Sequence, residues 1–509
     1  MKKVLSLLLV VVMIFGLAAC GGGGGSEEAE KVEKVTIGLT SWPTSLDPAA
    51  LMGKQNTPWL AQVYDTLLYC NNDGTVSSYI CESWEMLDEL TAEFKLKEGI
   101  TFHNGDPLTA EDIKYSYERV LNDETGYINA NIPGVVATVA DIEVIDDLTL
   151  RMSSAEPDPI FFDRLAARLG VWIVPQNYLE EVGTDVFGTQ PMGTGPYKVD
   201  SISPESMMLS YYEGYYDEAP LAPVVEYRYI SEETALVTAM VNGDIDMVPY
   251  LSTTAADLMS GYDNINVFNV ADSTSHLLRF NTKTGPTSDK LLRQALSLAI
   301  DRQLLVDSLW GDYAWVPNGY HYEEFGRYYI DDYPAYEYNV EKAKELVAQS
   351  SYDGEEFTFQ VVPGYYAMGV EAAEAIVDMW SEIGVNCKIE YVEAIKTKTI
   401  TGVANWSNGL RFSDPLGGLW VLWGEGTGPQ KDLWDAPERF NELGNLMEVE
   451  TDDAKRTEYY REMTQIWDDE MIGTILYCPN AMWAVRDGLA WDYAAGRAMN
   501  IRAGYLTQE

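Results

Sequence analysis

Residues 371–391 read EAAEAIVDMWSEIGVNCKIEY, and the class of fold follows from this stretch. Ala372, Ile376, Met379, Trp380 and Ile383 recur at the spacing that gathers side chains on one face of a helix. Gly384 stands where a left-handed residue ends a helix without a Cβ penalty. Val385, Cys387, Ile389 and Tyr391 then alternate, the period of a half-buried strand. A helix stopped by glycine and followed at once by a strand is a building block of a mixed sheet with helices on its faces. The spacing predicts an α/β protein.

The same logic extends in both directions. Ser288 is placed to cap a helix with the stripe Leu292, Ala295, Leu296, Ala299 and Ile300, and Asn339 to cap another with Ala343, Leu346 and Val347 inward. Upstream, Val35, Ile37 and Leu39 mark a half-buried strand, and Phe94 and Leu96 a second. Ile142 and Val144 face Leu148, Leu150 and Met152 across Asp146-Asp147 as a hairpin. Thr109 and Asp112 form a capping-box start for a helix whose stripe is Ile113, Tyr117, Val120 and Leu121. A chain of 509 residues exceeds what one core supports, so two or three domains are expected.

The N-terminus is a processing segment. Lys2 and Lys3 precede an apolar run from Val4 to Leu17, too short for a comfortable membrane span, and Leu17-Ala18-Ala19-Cys20 closes it. A cysteine after small residues resembles the lipobox of bacterial lipoproteins. The resemblance implies a signal peptide over 1–19, cleavage before Cys20 and a diacylglyceryl group on its sulfur. An uncleaved anchor or a plain secretory signal is the alternative. Gly21 to Gly25, Ser26 and an acidic stretch make residues 20–32 a flexible tether. The formal net charge is −46, which repels phosphate backbones and disfavours nucleic-acid binding.

Cys70, Cys81, Cys387 and Cys478 remain. Export permits disulfides, and Cys70 and Cys81 are close enough to bridge across a turn, although spacing alone does not establish the bond. No cysteine or histidine spacing fits zinc, so no metal or other cofactor is expected. Nucleophile elbow, metalloprotease helix, phosphate loop and dinucleotide glycines are all missing. His103, in a turn-like run, reads as a solvated residue, and His276 and His321 as packed or surface ones. Paired carboxylates for glycoside hydrolysis are not excluded by motif among 80 acids. The 33 Tyr and 14 Trp suit a cleft that grips peptide side chains or sugar rings through broad apolar faces.

Several segments, in order, resemble the bacterial extracellular solute-binding proteins of the dipeptide-, oligopeptide- and nickel-binding type (family 5). They are Ser45-Leu46-Asp47-Pro48, the spaced pattern from Phe94 through Gly99, Phe102, Gly105, Pro107 and Ala110 to Asp112, and Gly193-Thr194-Gly195-Pro196-Tyr197. Leu292-Arg293-Gln294-Ala295-Leu296 with Ala299-Ile300-Asp301-Arg302, and Ile383-Gly384-Val385, continue the match. The resemblance implies a two-lobed periplasmic-binding-protein clamshell of type II, cluster C-like, with a smaller accessory α+β domain inserted in the first lobe. Its expected boundaries are 33–75, 189–279 and 481–509 for the first lobe, 76–188 for the accessory domain and 280–480 for the second lobe. It also implies a monomeric receptor on the outer face of the cell membrane, held there by its lipid. Such a receptor closes about a hinge on a small ligand and hands it to the permease and ATPase subunits of an ABC importer without altering it.

One departure from the family pattern bears on the ligand. Peptide binders of this type place an Asp three residues before an Asp-Pro or Glu-Pro pair, where it holds the ligand's ammonium terminus. Counting back from Asp414-Pro415 lands on Arg411. A guanidinium cannot pair with an ammonium but suits a carboxylate. Arg411 is therefore a candidate for an anionic or neutral ligand terminus, against a shifted alignment or an internal pair with Asp414. Trp406, beside the family's cleft-lining position, Trp42, in the loop before Asp47-Pro48, and Asp414 are the other candidate contacts, with core packing as the plain reading of each tryptophan. Asp47-Pro48 itself reads as structural. A peptide receptor is the first reading, weakened by the Arg411 departure; an oligosaccharide receptor of the same family is the second, and an extracellular hydrolase the third.

Overall fold

The computed structural model describes residues 32–51, 54–71, 74–123, 126–128, 136–167, 170–492 and 500–508. The expected signal peptide, Cys20 and all but the last residue of the expected tether lie outside them. The chain divides after Glu33, and the body Lys34–Glu509 carries everything that follows.

A seven-stranded sheet is assembled from distant parts of the chain. Its order is Ile265–Val270, Ala481–Arg486, Met247–Val248, Val35–Leu39, Val224–Tyr229, Ser206–Tyr211 and Tyr197–Ile202. Val35–Leu39 runs parallel to both of its neighbours and is buried at every position. The alternation had marked it as half-buried. A central strand is covered on both faces, so it has no solvent side to alternate with.

A second sheet of six strands has the order Ala314–Trp315, Gly473–Pro479, Ser275–Phe280, Val403–Asn408, Phe357–Val361 and Cys387–Tyr391. The quoted stretch supplies the helix Gly369–Glu382 and the edge strand Cys387–Tyr391. Gly384 takes a left-handed φ of 81°, so the Val385 amide turns back to the Trp380 carbonyl at 3.1 Å. Ala372, Ile376 and Trp380 are buried on the sheet, and the Trp380 indole nitrogen donates to the Leu296 carbonyl at 2.9 Å. The Asn339 side chain caps its helix as expected, but Asp289, not Ser288, caps Lys290–Leu298. The carboxylate accepts from the Leu292 amide, while Ser288 belongs to the short turn before it.

A third sheet, wholly antiparallel, has the order Cys81–Met86, Thr91–Leu96, Thr149–Ser154 and Val139–Asp146. The helix Ala110–Leu121 covers it through Ile113, Tyr117 and Val120, and Thr109 and Asp112 form both halves of the capping box. This unit docks on the first sheet at a glycine turn. A Cβ at Gly193 would lie 2.1 Å from the Val63 carbonyl oxygen, and one at Gly195 2.4 Å from that of Gln62. His103 seals the junction, its Nε2 2.9 Å from the Gly195 carbonyl. Burial pushes His103 down to about 4, so it is a neutral packing residue and not the solvated one expected.

The chain passes from the first sheet to the second between Val270 and Ser275 and returns through Asn480. Ser275–Phe280 is therefore an interior strand of the second sheet, paired on both sides, and the boundary expected at 279/280 moves to its N-terminal end. The expected Cys70–Cys81 bridge is not formed. Cys70 Sγ lies 3.2 Å from the Ser413 hydroxyl, while Cys81 Sγ, buried in the core of the third sheet, faces the Leu67 carbonyl.

Candidate ligand-binding cleft

In open α/β sheets ligands lie beyond the carboxyl ends of parallel strands. In the first sheet those ends are Leu39, Tyr229 and Val248, and in the second Val361, Tyr391 and Asn408. The segments that leave them carry all four expected contacts: Trp42 after the first strand, and Trp406, Arg411 and Asp414 at or after Val403–Asn408.

Asp47 anchors the loop that contains Trp42. Its buried carboxylate accepts from the Ala49 amide, pairs with Arg119 and takes the Tyr127 hydroxyl at 3.1 Å. This is the structural role expected of Asp47-Pro48. Trp42 is half-buried, its ring 5.9 Å from that of Tyr229 at the end of the neighbouring strand.

The loop after Asn408 is built around Asp414. One carboxylate oxygen accepts from the Leu416 amide and the other pairs with Arg456 at 2.6 Å, both groups shielded from water. Asp414 thus has its valences filled inside the second lobe, which removes it from the set of candidate ligand contacts. It does not pair with Arg411. The Arg411 amide donates to the Gly417 carbonyl at 3.1 Å, which fixes the backbone, but its guanidinium has no ion-pair or hydrogen-bond partner among the described residues. Burial lowers its pKa below the ordinary arginine value, with Tyr320 acting in the opposite sense.

Trp406 is half-buried, meets Trp423 edge-on at 5.4 Å and lies under the Arg279 guanidinium at 4.4 Å. Arg279 was not among the expected contacts. Across the ladder it stands opposite Ala404 and next to the Leu277–Trp406 pair, so it shares their face of the sheet. The only signal in the sequence was a cation inside the apolar run Leu277, Leu278, Phe280. On the opposite face His276 sits 5.2 Å from Tyr366 and 5.4 Å from Tyr477, above a cavity reached by Asn405 and Gly369.

Contacts join the third sheet's unit to this loop. Ile160 belongs to the same buried cluster as Leu277 and Phe412, Arg164 lies over the Phe412 ring at 5.1 Å, and Arg164 also pairs with Glu448. These meetings and the Cys70–Ser413 contact hold residues 410–417 between the two halves.

Residues 75–430 match the family described as bacterial extracellular solute-binding proteins, family 5 Middle. The chain belongs to that family. Its fold is the family's two-lobed clamshell: over 94% of this chain it superposes on all of the ABC transporter substrate-binding protein CtaP from Listeria monocytogenes, with a TM-score of 0.82 and 22% identity. The periplasmic binding protein DppA from Helicobacter pylori, solved with the peptide STSA, superposes with a TM-score of 0.81 and 19% identity over 94% of this chain and 98% of that one. Among sequence relatives, the glutathione-binding protein GsiB of Salmonella paratyphi A is 22% identical over 74% of this chain and 73% of its own. A Brucella ovis protein named for ABC transporter peptide binding is 25% identical over 62% of this chain, and the match spans 60% of the relative's length.

Proposed function

We propose that this protein is the substrate-binding lipoprotein of an ABC importer, that it captures di- or oligopeptides in the cleft between its sheets, and that it releases them unaltered to a membrane permease. In this reading the first lobe is built on the seven-stranded sheet, residues 76–188 are its inserted unit, and the second lobe is built on the six-stranded sheet. Cys20 carries the lipid that holds a monomer at the outer membrane face. The importer role draws on the relatives named for peptide and glutathione binding and on the neighbour solved with a peptide.

The observation that carries the ligand class is Arg411. A half-buried guanidinium with no carboxylate partner among the described residues, on the loop where the family's parallel strand ends, is a receptor for an anionic group supplied from outside. A peptide's terminal carboxylate meets that need, and a neutral sugar does not. Thermal-shift screening of the unlipidated protein against di- to pentapeptides and β-linked oligosaccharides tests the reading, because a ligand that binds only the folded state raises the melting temperature. Peptides are expected to shift it. Sugars shifting it while peptides do not would replace the substrate, and turnover of either would overturn the receptor role.

A further inference from the structure

Apart from Arg279, Arg302 and Arg411, every described arginine has a carboxylate oxygen within 4 Å. Arg302 is satisfied in another way, by five hydrogen bonds to the Ile475, Ser297 and Ile300 carbonyls and the Ser297 and Thr474 hydroxyls. Among the described residues, Arg279 and Arg411 have neither an ion-pair partner nor a side-chain hydrogen bond. Their isolation is notable in a chain with 80 acidic residues against 34 basic ones.

Arg279 is the more demanding of the two. It is 5% exposed, and its Nε is sealed from water with no acceptor among the described residues. Desolvation pushes it down to about 10, the expected response of a cation kept from both water and counter-ion. The Trp406 ring beneath it offsets part of that penalty through its π face but accepts none of its five N–H bonds. An unpaired buried charge is costly, whereas the same charge with an anion and good hydrogen bonds is not.

We propose that Arg279 on Trp406 is a second anion site of the cleft, separate from Arg411, and that the ligand is a short peptide bearing an acidic side chain in addition to its terminal carboxylate. This rests on the peptide reading given above. Trp406 lies two residues before the end of its strand at Asn408, and Arg411 follows that end by three residues. The Arg279 fork would take a carboxylate while Trp406 packs against the ligand's methylenes.

Isothermal titration of the unlipidated protein with Ala-Ala-Ala and with tripeptides carrying Glu or Gln at one position at a time tests this. At one position the Glu peptide is expected to bind about tenfold or more tightly than its Gln partner. In Arg279→Gln that advantage disappears. Arg279→Lys, which keeps the charge and loses the planar fork, retains part of it and covers the case in which the first variant does not fold. Equal affinity for Glu and Gln at every position would overturn the proposal and leave the peptide reading intact. Failure of every tripeptide, with oligosaccharides binding, would remove both.

Discussion

Arg456 closes on Asp414 at 2.6 Å, and neither side chain is more than 2% exposed. The Arg456 guanidinium also donates to the Tyr328 hydroxyl at 2.9 Å and to the Met447 carbonyl, so one buried cation ties the cleft loop to two helical segments. Removing one partner strands the other in an apolar setting. Asp414→Asn and Arg456→Met are each expected to cost about 3–5 kcal/mol, seen as a lower urea midpoint. Ligand affinity of the folded fraction stays near that of the wild type. Lost affinity with stability intact would return Asp414 to the site.

Arg411→Ala should behave in the opposite manner. Its guanidinium has no ion-pair or hydrogen-bond partner among the described residues, so the melting temperature is expected to change little. Affinity for peptides with a free carboxylate is expected to fall about tenfold or more, the value of a charge-assisted contact. C-terminally amidated peptides should not distinguish variant from wild type. Unchanged affinity for the free acids would dispose of the site.

Arg164 and Glu448 link the helix Phe161–Leu165 of the inserted unit to the helix Glu438–Val449 of the second lobe. On the proposed hinge-closing reading, this pair is made only when the two halves meet and favours the closed form over the open one. Arg164→Ala is expected to raise the ligand dissociation rate about three- to tenfold with little change in the association rate, as measured by stopped-flow fluorescence. Release at the wild-type rate would show that this pair does not hold the cleft shut.

Asp468 has its pKa raised to about 6 by burial, against hydrogen bonds from Tyr333 and Tyr336. Its folded pKa lies above its unfolded value of about 3.9, so its contribution is fully present below about pH 4 and is lost as pH rises through about 6. Asp468→Asn has no such loss. Its stability relative to the wild type should rise by up to about 3 kcal/mol between pH 4 and 7, then level off. A stability difference independent of pH in chemical denaturation would contradict the assignment.

The elements that could be read from the sequence were those whose signal is local. Thr109 with Asp112, Asn339 and Gly384 each act within a few residues, and each does in the structure what its spacing implied. Val35–Leu39 was misjudged in burial because its cover comes from strands about 190 to 210 residues away. Asp289 took the cap from Ser288 because two competent side chains were adjacent and the chain's turn chose between them. At the cleft, counting from Asp414-Pro415 located Arg411 but could not show that Asp414 belongs to Arg456, 42 residues further on. Arg279 escaped notice because its meaning lies in what is missing around it, and only packing reveals that.

The strand Ala481–Arg486 lies between Ile265–Val270 and Met247–Val248, and Arg502 behind it reaches back to Asp65 and to the carbonyls of Ala61 and Tyr64. Without Ala481–Arg486 the first sheet is two separate pieces, so it is completed only when that strand inserts. Pairings this distant in sequence must meet a loop-closure cost before they stabilise anything, which makes the closing of the first sheet a slow, late step of folding.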